Sequence, residues 1–201
     1  MAPPLVSGLV DAIIGLSMYY PVSLKVGGER CLVVGGGDVA LRKAKTLARA
    51  GALLTVVSPE LLPGFRTLRA AVRRRPFRAG DVAGHVLAIA ATDAPDVNRA
   101  VFRACRRRGI PVNVVDVPEL CSFIVPSVAR RGPVTVAVST EGLSPSLAKA
   151  LRERLEDVLP SSLGVLARRL GASRKKILSE APPSPERTRR LKGLLRKADL
   201  R

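Results

Sequence analysis

Short apolar, β-branched runs alternate with helix-periodic segments through the first two-thirds of the chain. Arg30–Val34 (RCLVV) reads as a strand buried on both faces. Asp38–Ala50 follows as a helix. Its Val39, Leu41, Ala44, Leu47 and Ala48 are apolar, with Arg42, Lys43, Lys45 and Arg49 between them and Gly51 as its stop. Leu53–Val57 is a second strand, ended by Ser58-Pro59. Ala71–Arg74 is a short third and Val86–Ala91 a fourth. Pro95–Arg107 is a helix, with Asp93 as its expected N-cap and Gly109 as its stop, and Pro111–Val115 is a fifth strand. This alternation predicts an α/β fold built on a Rossmann-like parallel sheet with right-handed crossovers.

After Asp116 the rhythm changes. Phe123–Val125 and Val134–Val138 read as strands on either side of the turn-like Arg130-Arg131-Gly132-Pro133, forming a hairpin or a ribbon exchanged between two copies. Ser144-Pro145 opens a helix, Ser as cap and Pro in the first turn, with Leu147, Leu151, Leu155 and Val158 along one face. From Ser161 the chain reads as short helices, broken at Gly171 and at Ala181-Pro182-Pro183, with Ser184-Pro185 repeating the cap signal. Residues 1–17 are apolar-rich but lack a basic leading stretch, and Asp11 interrupts them. They fit a short appended helix, or an extension ahead of a start at Met18, better than a signal peptide. No apolar run reaches the roughly 18 residues that a bilayer span needs.

Composition adds a question. The 201 residues carry 34 Lys and Arg against 16 Asp and Glu, a net charge of +18, and half of that excess lies in residues 167–201. Such a balance points to a polyanionic partner, either nucleic acid or a multiply charged small molecule. With 3% aromatic residues and no Trp, a base-stacking single-strand binder has little to work with. Cys31, Cys105 and Cys121 are odd in number and far apart. They argue against a disulfide framework and for a reducing compartment, with Cys31 and Cys105 as buried thiols. His85 is the only histidine, so a His/Cys metal site has almost no raw material and no metal ligand is expected.

The chemistry-bearing motif is Gly35-Gly36-Gly37-Asp38-Val39-Ala40, a G-x-G-x-x-A string between a buried strand and a helix. Gly35 allows the tight turn, Gly37 lets the backbone approach a diphosphate, and Ala40 allows close helix–strand packing. The following helix N-terminus presents free N–H groups and the positive end of its dipole. The second strand ends at Ser58, Pro59 and Glu60. An acid about 20 residues beyond the glycines receives the adenosine ribose hydroxyls, which favours NAD over NADP; Glu60 capping the next turn is the bland alternative. Thr92 ends the fourth strand, where a ligand in an open α/β sheet lies. Asn113 and Asp116 end the fifth. Asp116 reads either as a general base facing the same crevice or as an exposed loop acid before Pro118.

With Tyr20-Pro21-Val22 and Leu32–Lys45 (LVVGGGDVALRKAK), the chain resembles the precorrin-2 dehydrogenase/sirohydrochlorin ferrochelatase family. Ala90–Asp93, Asn113–Asp116, Ser122–Ser127, Val136–Thr140 and Gly142–Pro145 continue the likeness in order, over about residues 18–160. The resemblance implies NAD-dependent oxidation of precorrin-2 to sirohydrochlorin by a cytoplasmic homodimer of the stand-alone form. In bifunctional members ferrous iron insertion follows in the same cleft, with iron as a substrate. It implies an appendage (1–17), an NAD-binding domain (18–116), a dimerisation region (117–145) and a C-terminal helical domain (146–201) that covers the active site. The family's key acid falls on Asp116. Cofactor contacts fall on Asp38, Val39, Pro59 and Glu60 beside Gly35, Gly37, Ser58 and Thr92, and substrate contacts on Asn113 and Ser122. Thr140 stands where some fused members carry a regulatory serine. Precorrin-2, with eight carboxylates, would answer the charge question without nucleic acid. The competing reading is a non-catalytic, NAD-sensing regulatory domain with a basic nucleic-acid-binding tail, which does not predict the motifs after residue 112.

Overall fold

The computed structural model describes residues 19–196; the expectations for residues 1–17 lie outside them. The described residues form two compact units that divide between Val125 and Pro126.

The first unit is a five-stranded parallel sheet in the order β3-β2-β1-β4-β5. The strands are β1 (Arg30–Val34), β2 (Leu53–Val57), β3 (Ala70–Arg73), β4 (Leu87–Ala90) and β5 (Val112–Val114). β1, β4 and β5 are buried almost throughout, which is why they read as continuous apolar runs rather than as alternating ones. Helix α1 (Asp38–Arg49) joins β1 to β2 and α2 (Pro95–Arg106) joins β4 to β5. The Rossmann-like expectation therefore holds. Gly51 (φ 81°) and Gly109 (φ 64°) take the left-handed conformation that stops each helix.

Each face of the sheet has its own core. On one, Ala40, Ala44 and Leu47 of α1 and Phe65 of a 3₁₀ turn (Pro63–Thr67) pack on Cys31, Val33, Leu54, Val56, Leu87 and Ile89. On the other, Val101, Ala104 and Cys105 of α2 pack on Leu32, Val34, Ala88, Val112 and Val114. Helix α1 reaches β1, β2 and β4 on this face, and Val115 and Phe123 pack against the same cluster. Burial raises the thiol pKa of Cys31 and of Cys105 to about 11, so both are inert packing groups.

Two details differ from expectation. Phe123–Val125 is not a strand. Instead, Ser122 donates its backbone N–H to the Val112 carbonyl (2.8 Å), and the next strand starts only after Pro126, which has no N–H for a ladder. The cap of α2 is not Asp93 either. The Thr92 hydroxyl accepts the Ala94 N–H (3.3 Å) and the Asp93 side chain stays exposed.

The second unit is an antiparallel hairpin, β6 (Ser127–Arg131) and β7 (Val134–Val138), followed by α3 (Pro145–Val158), α4 (Leu163–Glu180) and α5 (Pro185–Arg196). The two strands pair within one chain, Ser127 opposite Val138. Ser144 and Ser184 cap α3 and α5 as expected, accepting the N–H groups of Leu147 (3.3 Å) and Arg187 (3.1 Å). Gly171 does not break α4, which runs through it: one helical Gly costs only about 1 kcal/mol against Ala. Helix α3 packs on the hairpin with an unexpected face. Ala148, Arg152 and Glu156 turn inward, and Glu156 binds Arg131 (3.0 Å) and Arg152 (2.5 Å). Arg152 and Arg131 hold the Glu156 carboxyl below the usual carboxylate range.

Candidate active site

The carboxyl edge of the first unit's sheet assembles the residues singled out in the sequence. β1 enters the glycine loop at Gly35, Ser58 directly follows β2, and Thr92 and Asp116 lie two residues beyond the ends of β4 and β5. The parallel register, Val34 beside Val57 and Ala90, and Ala90 beside Val114, puts these ends at one level.

Sterics set the glycine loop. Gly35 has φ 127°, and a Cβ there would strike the Ala91 carbonyl. A Cβ on Gly36 would collide with the Glu60 carbonyl oxygen and crowd the Ser58 hydroxyl, and the Gly36 carbonyl accepts the Leu62 N–H at 3.0 Å. Gly36 is thus the glycine that locks the loop against the exit of β2. Sequence reasoning passed over it as the variable position of the string, and only the long-range contact reveals it. Gly37 is different: open space lies where its Cβ would stand, and it is the N-cap of α1 with no side chain capping it. An uncapped helix N-terminus with free space above glycine fits a diphosphate, which would take the first-turn N–H groups from Asp38 and Val39 onward.

On the β2 side, Ser58 is buried beside the loop, while Pro59 and Glu60 are exposed. Beyond them lies a shallow hollow walled by Leu61, Leu62, Phe65 and Val72 with Arg66 and Arg74 at its margin. On the β4 side, Thr92 donates to Asn98 Oδ1 at 2.8 Å, and Asn98 donates back to the Thr92 carbonyl at 2.8 Å. Asn98 is thereby a residue that sequence reasoning missed; it fixes the turn leaving β4.

Asp116 is exposed and holds φ 61°, one of two non-glycine residues in the left-handed region among the described residues. Asp tolerates that region better than most residues, but the conformation is still uncommon. The segment behind it is pinned. The Cys121 thiol donates to the Val114 carbonyl (3.1 Å) and accepts the Val114 N–H (3.2 Å). Buried Asn113 donates to the Phe123 carbonyl (3.0 Å), and the Ser122 hydroxyl accepts the Val112 N–H (2.8 Å). The Asn113 amide nitrogen and the Ser122 hydroxyl therefore hold the returning chain. Thr140, in the second unit, clasps the Ser144 backbone from both sides, donating to its carbonyl (2.9 Å) and accepting its N–H (3.1 Å).

Among the described residues no group of three or more His, Cys, Asp or Glu could hold a metal ion, and no helix is long and apolar enough to cross a membrane.

The comparisons with known proteins agree with this geometry. Residues 22–127 match the family described as "Putative NAD(P)-binding", and residues 131–157 match the one described as "Sirohaem biosynthesis protein central". The chain is 48% identical over 175 residues to a siroheme synthase of Thioalkalivibrio sulfidiphilus, which covers 85% of this chain and 36% of that protein. It is 51% identical over 151 residues to a siroheme synthase of Methylobacillus flagellatus, covering 73% and 32%. The chain thus spans about a third of the length of the curated relatives it matches. Among solved structures, SirC, precorrin-2 dehydrogenase, is 26% identical with a TM-score of 0.72, covering 90% of both chains. By its matched glycine loop, sheet and following segment, the chain belongs to the NAD(P)-binding family, continued by a sirohaem-biosynthesis central segment.

Proposed function

We propose that this chain oxidises precorrin-2 to sirohydrochlorin with NAD⁺ as hydride acceptor, releasing NADH and a proton, in siroheme biosynthesis. What supports the reading is an uncapped, glycine-approached helix N-terminus after β1 and an exposed carboxylate after β5, both beyond the carboxyl ends of strands in one parallel sheet. NAD supplies the two-electron acceptor when bound. The protein's part is positional. Asp38 and Val39 present N–H groups to the diphosphate, Glu60 receives the ribose diol, and the apolar hollow beyond it seats the adenine. Thr92 borders the nicotinamide end. Asp116 takes the proton that leaves as the macrocycle loses its hydride.

The regulatory alternative gains nothing from the comparisons, whose named relatives are siroheme synthases and a precorrin-2 dehydrogenase. A homodimer in the cytoplasm, joined through residues of the 117–145 region and α3, belongs to the same proposal. The second unit's interior supports it: Ala129, Ala148 and Ile177 are its buried hydrophobics among the described residues, while Leu143, Leu147 and Val158 are more than half exposed.

Anaerobic turnover of precorrin-2 with NAD⁺, followed by sirohydrochlorin and NADH absorbance, tests the proposal; absence of both products sinks it. Asp116→Ala should lower kcat by about 10²–10⁴-fold, the range expected for losing a general base, with NAD⁺ affinity retained. Repeating the assay with Fe²⁺ tests whether ferrous iron is also inserted as a substrate.

A further inference from the structure

Arginines crowd one place in the first unit. Residues 58–78 hold Arg66, Arg69, Arg73, Arg74, Arg75 and Arg78 against a single acid, Glu60. The fold sorts them. Arg73 and Arg75 both turn to Asp81, each at 2.6 Å. Side chains alternate along an extended chain, so Val72 and Arg74 take the opposite face. There they line the shallow hollow together with Leu61, Leu62, Phe65 and Arg66. Arg66 and Arg74 are exposed, and among the described residues neither makes an ion pair or a hydrogen bond. Two guanidinium groups with their donors free thus line one concavity.

The hollow lies where the cofactor path leaves the glycine loop. The Leu62 N–H donates to the Gly36 carbonyl (3.0 Å), and the Ser58 N–H donates to the Arg73 carbonyl (3.2 Å). The exits of β2 and β3 are therefore tied to each other and to the loop, with Glu60 between the two ties in the chain. A dinucleotide with its diphosphate on the N-terminus of α1 and its ribose at Glu60 brings its adenine to the hollow. The ribose 2′-oxygen sits next to the bond that carries the adenine, so a phosphate on it comes out at the hollow's rim. An acid after β2 favours a free ribose diol, whereas an arginine nearby accommodates a 2′-phosphate. This chain has both. A phosphate monoester carries about −1.5 to −2 charges at neutral pH and three acceptor oxygens, which suits two guanidinium forks. Against those two cations Glu60 sets one negative charge, and it keeps the 3′-hydroxyl as a partner.

We propose that Arg66 and Arg74 form a 2′-phosphate subsite at the rim of the hollow, so that the chain takes NADP⁺ as well as NAD⁺. This rests on the cofactor placement proposed above and extends it.

Calorimetry on the adenosine half is the test, with three probes: 5′-AMP, 2′,5′-ADP and 3′,5′-ADP, the last an isomer with the same charge in the wrong place. Wild type should bind 2′,5′-ADP at least about tenfold more tightly than either of the others, the gain of charge-assisted contacts. Arg66→Gln and Arg74→Gln should each remove most of that advantage and leave 5′-AMP binding within a few-fold. Arg69→Gln, at the amino end of β3, should change neither. All three side chains are exposed, and circular dichroism checks that the variants fold. In turnover, the two rim variants should raise KM for NADP⁺ while KM for NAD⁺ and kcat stay within a few-fold. A wild type that binds 2′,5′-ADP no better than 5′-AMP overturns the proposal. Equal binding of the two isomers, or an equal loss in Arg69→Gln, also overturns it and assigns the effect to the general positive field. So does an equal weakening of 5′-AMP by the rim variants, which would assign the arginines to the adenine ring. Oxidation of precorrin-2 with NAD⁺ by a wild type indifferent to the 2′-phosphate would refute the subsite and leave the dehydrogenase reading standing. A wild type that prefers 2′,5′-ADP through Arg66 and Arg74 but oxidises no precorrin-2 would do the reverse.

Discussion

His85 shows how a single residue can matter without touching the chemistry. It is buried ahead of β4, where Nε2 shares a 3.0 Å hydrogen bond with the Thr55 hydroxyl and Nδ1 has no partner. Burial is the main cause of its lowered pKa, with the nearby Arg30 and Arg73 charges adding to it. The native state therefore binds fewer protons than the unfolded chain once the pH drops toward the ordinary histidine value of 6.5. Stability contributed by the neutral ring is present above that pH and lost as the pH falls. Thermal unfolding between pH 7.5 and 5 should show a slope of up to about 1.4 kcal/mol per pH unit from this group. His85→Asn should flatten it; an unchanged slope would assign the acid sensitivity elsewhere. Asp81 behaves oppositely in charge but alike in direction. Arg75, the Arg78 N–H and Arg73 hold its buried carboxyl far below the usual range, so its contribution is lost only in stronger acid.

Two elements invite direct tests. The glycine loop is wedged against the exit of β2, and Gly36→Ala would drive a methyl group into the Glu60 carbonyl. Either β2's exit or the loop must shift, so NAD⁺ affinity should fall at least about tenfold, with stability reduced by about 1–3 kcal/mol. Calorimetry and chemical denaturation measure the two losses. Gly37→Ala, which enters open space, should leave stability almost unchanged while still lowering NAD⁺ affinity. Helix α3 is the second case. It turns a charged face to its own hairpin and an apolar stripe outward: Leu147, Leu151 and Leu155 are 51%, 40% and 39% exposed. An isolated globular unit normally does the reverse. If the stripe is a dimer surface, light scattering should show a dimer for wild type and a monomer for Leu151→Asp, with the first unit's NAD⁺ binding retained. A monomeric wild type would refute the dimer.

On the scale of the whole molecule, the dominant quantity is the net charge of +18. Most of the basic residues are solvated, and their field extends only about 8–10 Å at physiological ionic strength. Its expected effect is to concentrate a polycarboxylate near the surface rather than to bind at one point. Raising salt from 50 to 300 mM should therefore lower kcat/KM for precorrin-2 severalfold, mostly through KM, and affect NAD⁺ binding less. A salt-independent kcat/KM would separate the charge from the substrate and leave it as a feature of the exposed helix faces.

The sequence by itself determined the parallel sheet, because strands buried on both faces leave continuous apolar runs and Gly, Ser-Pro and Ala-Pro punctuate them. It also determined the glycine loop and the candidate acid, since both sit at strand ends where local pattern and chemistry coincide. Tertiary structure decided the rest. The role of Gly36 depends on Glu60, twenty-four residues on. The path of Phe123–Val125 depends on bonds back to β5 that no local pattern encodes. The turn into α2 is held by Thr92 and Asn98 rather than by an Asp93 cap, a contact across six residues. The apolar stripe of α3 was legible as a stripe, but only packing against the hairpin showed that it faces outward. Each of these outcomes turns on contacts between residues distant in sequence, where burial and hydrogen-bond geometry outweigh local propensity.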